Sequence, residues 1–123
     1  MVATILIVDD NEQFRVLLQG IIAQEPNIHV VGEAEDGAEA IRLARELRPD
    51  IVLLDLALPR VNGLEALRQI KAERPETKVI IVTVHTEDAY RQAAEDSGAD
   101  GFLLKKTLGT DLLPTIHRLC GPM

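Results

Sequence analysis

The sequence predicts an α/β fold: an open sheet of five parallel strands with helices packed on both faces. Three observations predict it. Short β-branched or aliphatic runs alternate five times with segments whose apolar residues recur at helical spacing, and that alternation requires crossover connections. Most of the runs are continuously apolar, not alternately apolar and polar, which is the pattern of strands buried on both faces. Pro26, Gly37, Pro49, Pro75 and Gly98 fall where one element gives way to the next.

The first strand is TILIVD (4–9). A helix follows, with Phe14, Leu17, Leu18, Ile21 and Ile22 at i, i+3, i+4, i+7 and i+8, one apolar stripe. IHVVGEA (28–34) is the second strand, and Ala40, Leu43, Ala44 and Leu47 mark the second helix. IVLLD (51–55) is the third strand, followed by a shorter stripe of Leu64, Leu67 and Ile70. KVIIVT (78–83) is the fourth. The segment TEDAYRQAAEDS (86–97) offers only Ala89, Ala93 and Ala94 for packing, so this helix is expected to be loosely held. GFLL (101–104) is the fifth strand, and Leu112, Ile116, Leu119 and Cys120 line the last helix.

A chain of 123 residues is most naturally one domain, 1–123, large enough to bury a core. With 46% hydrophobic and 27% charged residues it is not expected to be disordered, and with 2% aromatics its core must be aliphatic. The net charge of −7 argues against direct binding to nucleic acid, where basic residues carry most of the affinity. Cys120 has no second cysteine to pair with, which suits a reducing compartment. No apolar run approaches the ~18 residues of a membrane span, and MVATILIVDD has no basic leader, so a cytoplasmic location is expected. The ending LCGPM reads as a linker beginning within 118–123, which favours a chain cut from a longer protein.

In open parallel sheets the ligand crevice lies beyond the carboxyl ends of the strands. Strand 1 ends in Asp9 and Asp10, strand 3 in Asp55, strand 4 in Thr83 and strand 5 in Lys105 and Lys106. Each has a bland explanation. Asp10 could cap the first helix with Gln13 completing a capping box, and Asp55 could simply be a strand-exit residue. Thr83 could be an ordinary β-former and Lys105 a solvated charge. None of these explains why all fall on one edge.

Two carboxylates about 4 Å apart repel by ~4 kcal/mol at an effective dielectric near 20, so three clustered carboxylates need more than one lysine to offset them. A hard divalent cation supplies the remainder, and carboxylates, a backbone carbonyl and waters are what Mg²⁺ prefers. His29, His85 and His117 have no zinc-like spacing. An acidic Mg²⁺ pocket with one lysine suits phosphoryl chemistry, in which a carboxylate can itself be the nucleophile.

Together, ILIVDD (5–10), IVLLDLALPRVNG (51–63), VIIVT (79–83) and GADGFLLKK (98–106) resemble the receiver domain of a two-component response regulator over residues 4–120. GADGFLLK, with no proline after Lys105, resembles the subfamily whose receivers precede a helix-turn-helix output domain. The resemblance implies a flavodoxin-like, doubly wound (βα)₅ sheet in the order 2-1-3-4-5. It implies that Asp55 is the phosphoacceptor, with a sensor histidine kinase as phosphoryl donor. Asp9, Asp10, Asp55 and the Ala57 backbone carbonyl would hold Mg²⁺ as the cofactor, while Lys105 and Thr83 would contact the phosphoryl group. Thr83 and Phe102 would form the switch, with core packing as the other explanation of Phe102.

Ala57 and His85 would flank the phosphoryl group and tune its lifetime, unless His85 is only a solvated loop residue. Leu58 stands where methionine is frequent, and Lys106 where proline is, so a trans peptide is expected after Lys105. The resemblance makes the chain a signalling switch that assists its own phosphorylation and dephosphorylation, not an ordinary enzyme. Its fourth helix, fifth strand and fifth helix would form the switched surface. Control of transcription through a DNA-binding output domain absent from this chain, and a phosphorylation-dependent homodimer, are the further partners implied.

Competing classes fit less well. A flavin binder needs a Ser/Thr/Gly-rich loop after strand 1, where this chain has DDNEQ. Neither GxGxxG nor GxxxxGK[ST] occurs. An aspartate-based phosphohydrolase usually carries a second aspartate where Ala57 stands and needs a larger chain. A phosphorylation-independent interaction module leaves the acidic, Thr and Lys set without a purpose.

Overall fold

The computed structural model describes residues 2–121. The strands are β1 (Ala3–Val8), β2 (Ile28–Ala34), β3 (Ile51–Leu54), β4 (Lys78–Thr83) and β5 (Gly101–Leu104). The helices are α1 (Glu12–Ile22), α2 (Gly37–Leu47), α3 (Gly63–Glu73), α4 (Asp88–Asp96) and α5 (Leu108–Cys120). A 3₁₀ turn, Lys105–Thr107, joins β5 to α5. The sheet is parallel throughout, in the order β2-β1-β3-β4-β5.

Alternation along the central strands divides the core in two. Leu6, Val8, Val52, Leu54, Val79 and Ile81 face Ala40, Ile41 and Ala44 of α2, Ala66, Leu67 and Ile70 of α3, and Ala94 of α4. Ile5, Ile7, Ile51, Leu53, Ile80 and Val82 face Leu18 and Ile22 of α1 and Leu108, Leu112 and Ile116 of α5. The core strands are therefore apolar on every residue because each face has its own cover.

Local signals fix the helix starts. Asn11, Asp36 and Asn62 each turn a side-chain oxygen to a free amide, of Phe14, Glu39 and Glu65 respectively. Asp10 is not the cap of α1, because the Asn11 amide is drawn to Asp9 Oδ1 at 2.9 Å and the turn begins one residue later. The α1 stripe is narrower than its periodicity predicts: Leu17 is 54% exposed while Leu18 and Ile22 are buried. Leu47 also faces partly outward at the end of α2. Helix α4 is held as loosely as its composition predicts. Glu87 gives it no side-chain cap, and Ala94 is its one buried residue. Residues 118–120 belong to α5, while 122 and 123, part of the expected linker, lie outside the described residues. All described peptide bonds are trans, including that after Lys105.

Candidate functional site

Three strands deliver the site. Asp9 and Asp55 each stand one residue beyond a buried strand, β1 and β3, and Lys105 stands one residue beyond β5. Lys105 Nζ lies 2.7 Å from Asp9 Oδ2 and 3.2 Å from Asp55 Oδ2. Asp9, Asp10 and Asp55 present carboxylate oxygens within 4.8 Å of one another. Asp9 and Asp55 are buried and Asp10 is exposed, so the pocket opens on the Asp10 side.

Backbone amides aim the two buried carboxylates. Asp9 Oδ1 accepts from the Asn11 amide, and Asp55 Oδ1 accepts from the Ala57 amide at 3.2 Å. The Asp55 amide in turn donates to the Val8 carbonyl. The loop after Asp55 closes on itself, because the Gly63 amide donates to the Leu56 carbonyl at 3.0 Å and Leu56 and Leu58 are buried. Gly63 is needed there. A Cβ at that position would run into the Asp55 carbonyl oxygen and the Leu56 backbone.

Burial pushes the Asp55 carboxyl above its ordinary value; the Asp9 charge adds to this, and Lys105 and the Ala57 amide oppose it. For Lys105 burial works against the charge, but Asp9 and Asp55 together outweigh it and hold the ammonium above the usual lysine value. One ammonium among three carboxylates leaves the pocket with excess negative charge. The donor set is all carboxylate oxygen, gathered within 4.8 Å, the ligand type that Mg²⁺ prefers. These residues fit a hard divalent cation.

The other predicted residues lie on β4, on β5 and in the loops that follow β3 and β4. Thr83 ends β4, fully buried, and its hydroxyl accepts from the His85 amide at 3.2 Å. Ala57 is exposed beside Asp55. His85 stacks on Tyr90 of α4, ring centroids 4.3 Å apart. Phe102 packs half-buried on the face that α4 covers, with the Arg91 guanidinium 4.8 Å from its ring centre. Sequence reasoning missed two neighbours. Periodicity marks Phe14 only as helix stripe, yet Lys105 Nζ sits 4.1 Å from its ring centre, a cation–π contact that holds the ammonium from the α1 side. No motif marks Arg15, although it is buried and donates to the Asp9 carbonyl. An arginine inside the first apolar stripe was the available signal.

Residues 5–117 match the family model described as the response regulator receiver domain. The response regulator protein VraR of Staphylococcus saprophyticus is 38% identical over 114 residues, covering 93% of this chain and 54% of that protein. The chain spans about half the length of the curated relatives it matches. Among solved structures, the response regulator domain of Thermotoga maritima CheB superposes with a TM-score of 0.91 at 34% identity, covering 100% of this chain and 99% of that one. A two-component response regulator of the LuxR family from Aurantimonas gives 0.92 at 37% identity, covering 98% of this chain and 87% of the other.

Proposed function

The chain belongs to the response regulator receiver domain family of two-component systems, and on that premise we propose that Asp55 is its phosphoacceptor. One observation carries the assignment. Asp55 is buried at a strand end with an ammonium 3.2 Å from one oxygen and two further carboxylates beside it. A nucleophile needs a fixed approach, and a transferring phosphoryl group needs positive charge that is already in place.

A sensor histidine kinase presents phosphohistidine. Asp55 Oδ attacks phosphorus in line, the P–N bond breaks, and the imidazole nitrogen leaves with the electron pair. Lys105, already in the pocket, pairs with the equatorial phosphoryl oxygens as they gain charge. Mg²⁺, held by Asp9, Asp10, Asp55 and the Ala57 carbonyl, would supply the remaining positive charge that phosphoryl transfer requires. Thr83 leaves the His85 amide to bond the phosphoryl group, and Phe102 turns into the space that it vacates. Helix α4 yields because so little of it is buried. Ala57 and His85 govern how water reaches the acyl phosphate, and so how long the signal lasts.

VraR and DegU bear names of regulators, DegU that of a transcriptional one, and this chain matches about half of each. A DNA-binding response regulator of the LuxR family from Staphylococcus aureus has the same fold. This supports control of transcription through an output domain beyond this chain. The proposal also includes a cytoplasmic location, a switched α4–β5–α5 surface and a phosphorylation-dependent homodimer. Among the described residues no helix is long and apolar enough to cross a membrane. Acetyl phosphate with Mg²⁺ should add one phosphoryl group to the chain by intact mass and none to Asp55→Asn. Equal addition to the variant would place the acceptor elsewhere.

A further inference from the structure

Arg15 is buried on α1, with its side chain 8% exposed, a costly place for a guanidinium unless its donors are used. Nε donates to Glu33 Oε1 at 2.9 Å, Nη1 to the backbone carbonyl of Asp9 at 2.7 Å, and Nη2 approaches Glu35 Oε1 at 3.5 Å. Glu33 is fixed from the other side by Gln19 Nε2 at 2.8 Å. A tie between α1 and β2 would be complete with Glu33 alone. The contact with Asp9 is the shortest of the three and the only buried one, and it reaches the strand end that carries two site carboxylates.

That contact closes the last open side of Asp9. Its amide donates to the Ala34 carbonyl at 3.0 Å, Oδ1 accepts from the Asn11 amide, and Oδ2 faces Lys105. The Asp9 carbonyl shares a rigid plane with the Asp10 amide, so the guanidinium that holds one sets the direction of the other. Asp10 is exposed, and among the described residues its carboxylate has no hydrogen-bond or ion-pair partner. Its position depends on that peptide plane.

We propose that Arg15 is a positioning residue for the cation pocket: by holding the Asp9 carbonyl it aims the Asp10 carboxylate at the position of the metal. The inference rests on the reading of Asp9, Asp10 and Asp55 as the Mg²⁺ site. Arg15 touches neither the cation nor the phosphoryl group. It acts as partners one layer out from a metal do, whose removal costs roughly 10- to 100-fold in affinity.

The test is calorimetric titration of the metal-free chain with Mg²⁺, with thermal melts in EDTA alongside. Arg15→Gln keeps a donor where Nε stood, within reach of Glu33, but lacks the group that reaches Asp9. Glu33→Gln removes the ion pair and leaves the Asp9 contact. The proposal expects the Mg²⁺ Kd of Arg15→Gln to rise about tenfold or more while that of Glu33→Gln stays near the parent value. It also expects Arg15→Gln to have no further effect in an Asp10→Asn background, a coupling that a merely structural tie would not produce. If Arg15→Gln melts too low to titrate, Arg15→Met is judged by the same Kd. A folded Arg15 variant with parental Kd, or an equal loss in Glu33→Gln, overturns the proposal. A parent chain that binds no Mg²⁺ overturns the metal site itself, and the proposal with it.

Discussion

Asp55→Asn should stabilise the metal-free protein. The geometry gives the size of the effect. Asp9 and Asp10 each present an oxygen within 4.8 Å of an Asp55 oxygen, which at an effective dielectric near 20 means at least about 3.5 kcal/mol of repulsion apiece. Lys105, at 3.2 Å, returns about 5 kcal/mol on the same scale. At most about 2 kcal/mol of net repulsion remains, because water around the exposed Asp10 reduces it; burial of Asp55, the largest cause of its raised pKa, adds the rest of the penalty.

Removing that charge should raise the melting temperature in EDTA at neutral pH by roughly 8 °C for a chain of this size. The pH dependence follows from linkage. Asp55 titrates above its ordinary value in the fold, so its penalty is absent below the ordinary carboxylate pKa, grows as pH rises from there to the folded one, and is complete above it. The advantage of asparagine should grow over the same window. Saturating Mg²⁺ should reverse the order, because only the parent offers all three carboxylates to the cation. Differential scanning calorimetry of both proteins, with EDTA and with Mg²⁺, measures this. An Asp55→Asn variant less stable than the parent in EDTA would refute the charge-crowding account.

Lys105→Ala should still bind the cation but accept phosphate from acetyl phosphate roughly 10²- to 10³-fold more slowly, followed by intact mass against time. An unchanged rate would remove Lys105 from the chemistry. Gly63→Ala should cost about 1–3 kcal/mol in urea denaturation, because the new methyl meets the Asp55 carbonyl and Leu56 backbone, neither of which can rotate away. The Arg60 hydrogen bond beside Asp36 holds that carboxyl below its ordinary value, aided by the Glu39 amide. Its contribution is full above the ordinary carboxylate pKa and lost as pH falls through the lower folded one. Asp36→Asn, which keeps the cap on α2, should therefore melt at most a few degrees below the parent at neutral pH and converge with it in acid. A gap that persists in strong acid would mean that packing, not charge, ties the loop at Arg60 to α2.

The sheet was legible because burial on both faces leaves nothing but apolar residues in its central strands, and that pattern survives any detail of packing. The site core was legible for a related reason. A charge immediately after such a run has one place to go, the open end of the sheet, so Asp9, Asp55 and Lys105 could be brought together from sequence alone. Helix faces were harder. Periodicity ranks Leu17 and Leu18 alike, but a helix on a sheet touches it along a narrow line, and one residue of rotation exposes Leu17. Asp10 and Asn11 are comparable caps, and the choice between them depended on the Asn11 amide turning to Asp9. Arg15 and Phe14 stayed hidden for the same reason. Their roles come from contacts with residues on other strands, to the Asp9 carbonyl and the Lys105 ammonium, which no local pattern records.

The most direct test of Asp55 as nucleophile is chemical trapping. Borohydride reduces an acyl phosphate to an alcohol, so treatment of the phosphorylated chain should leave homoserine at position 55, located by peptide mass spectrometry. Homoserine at position 55, absent when acetyl phosphate or Mg²⁺ is omitted, is the predicted result. Homoserine at Asp9 or Asp10, or a phosphoryl group that yields none anywhere, would contradict it.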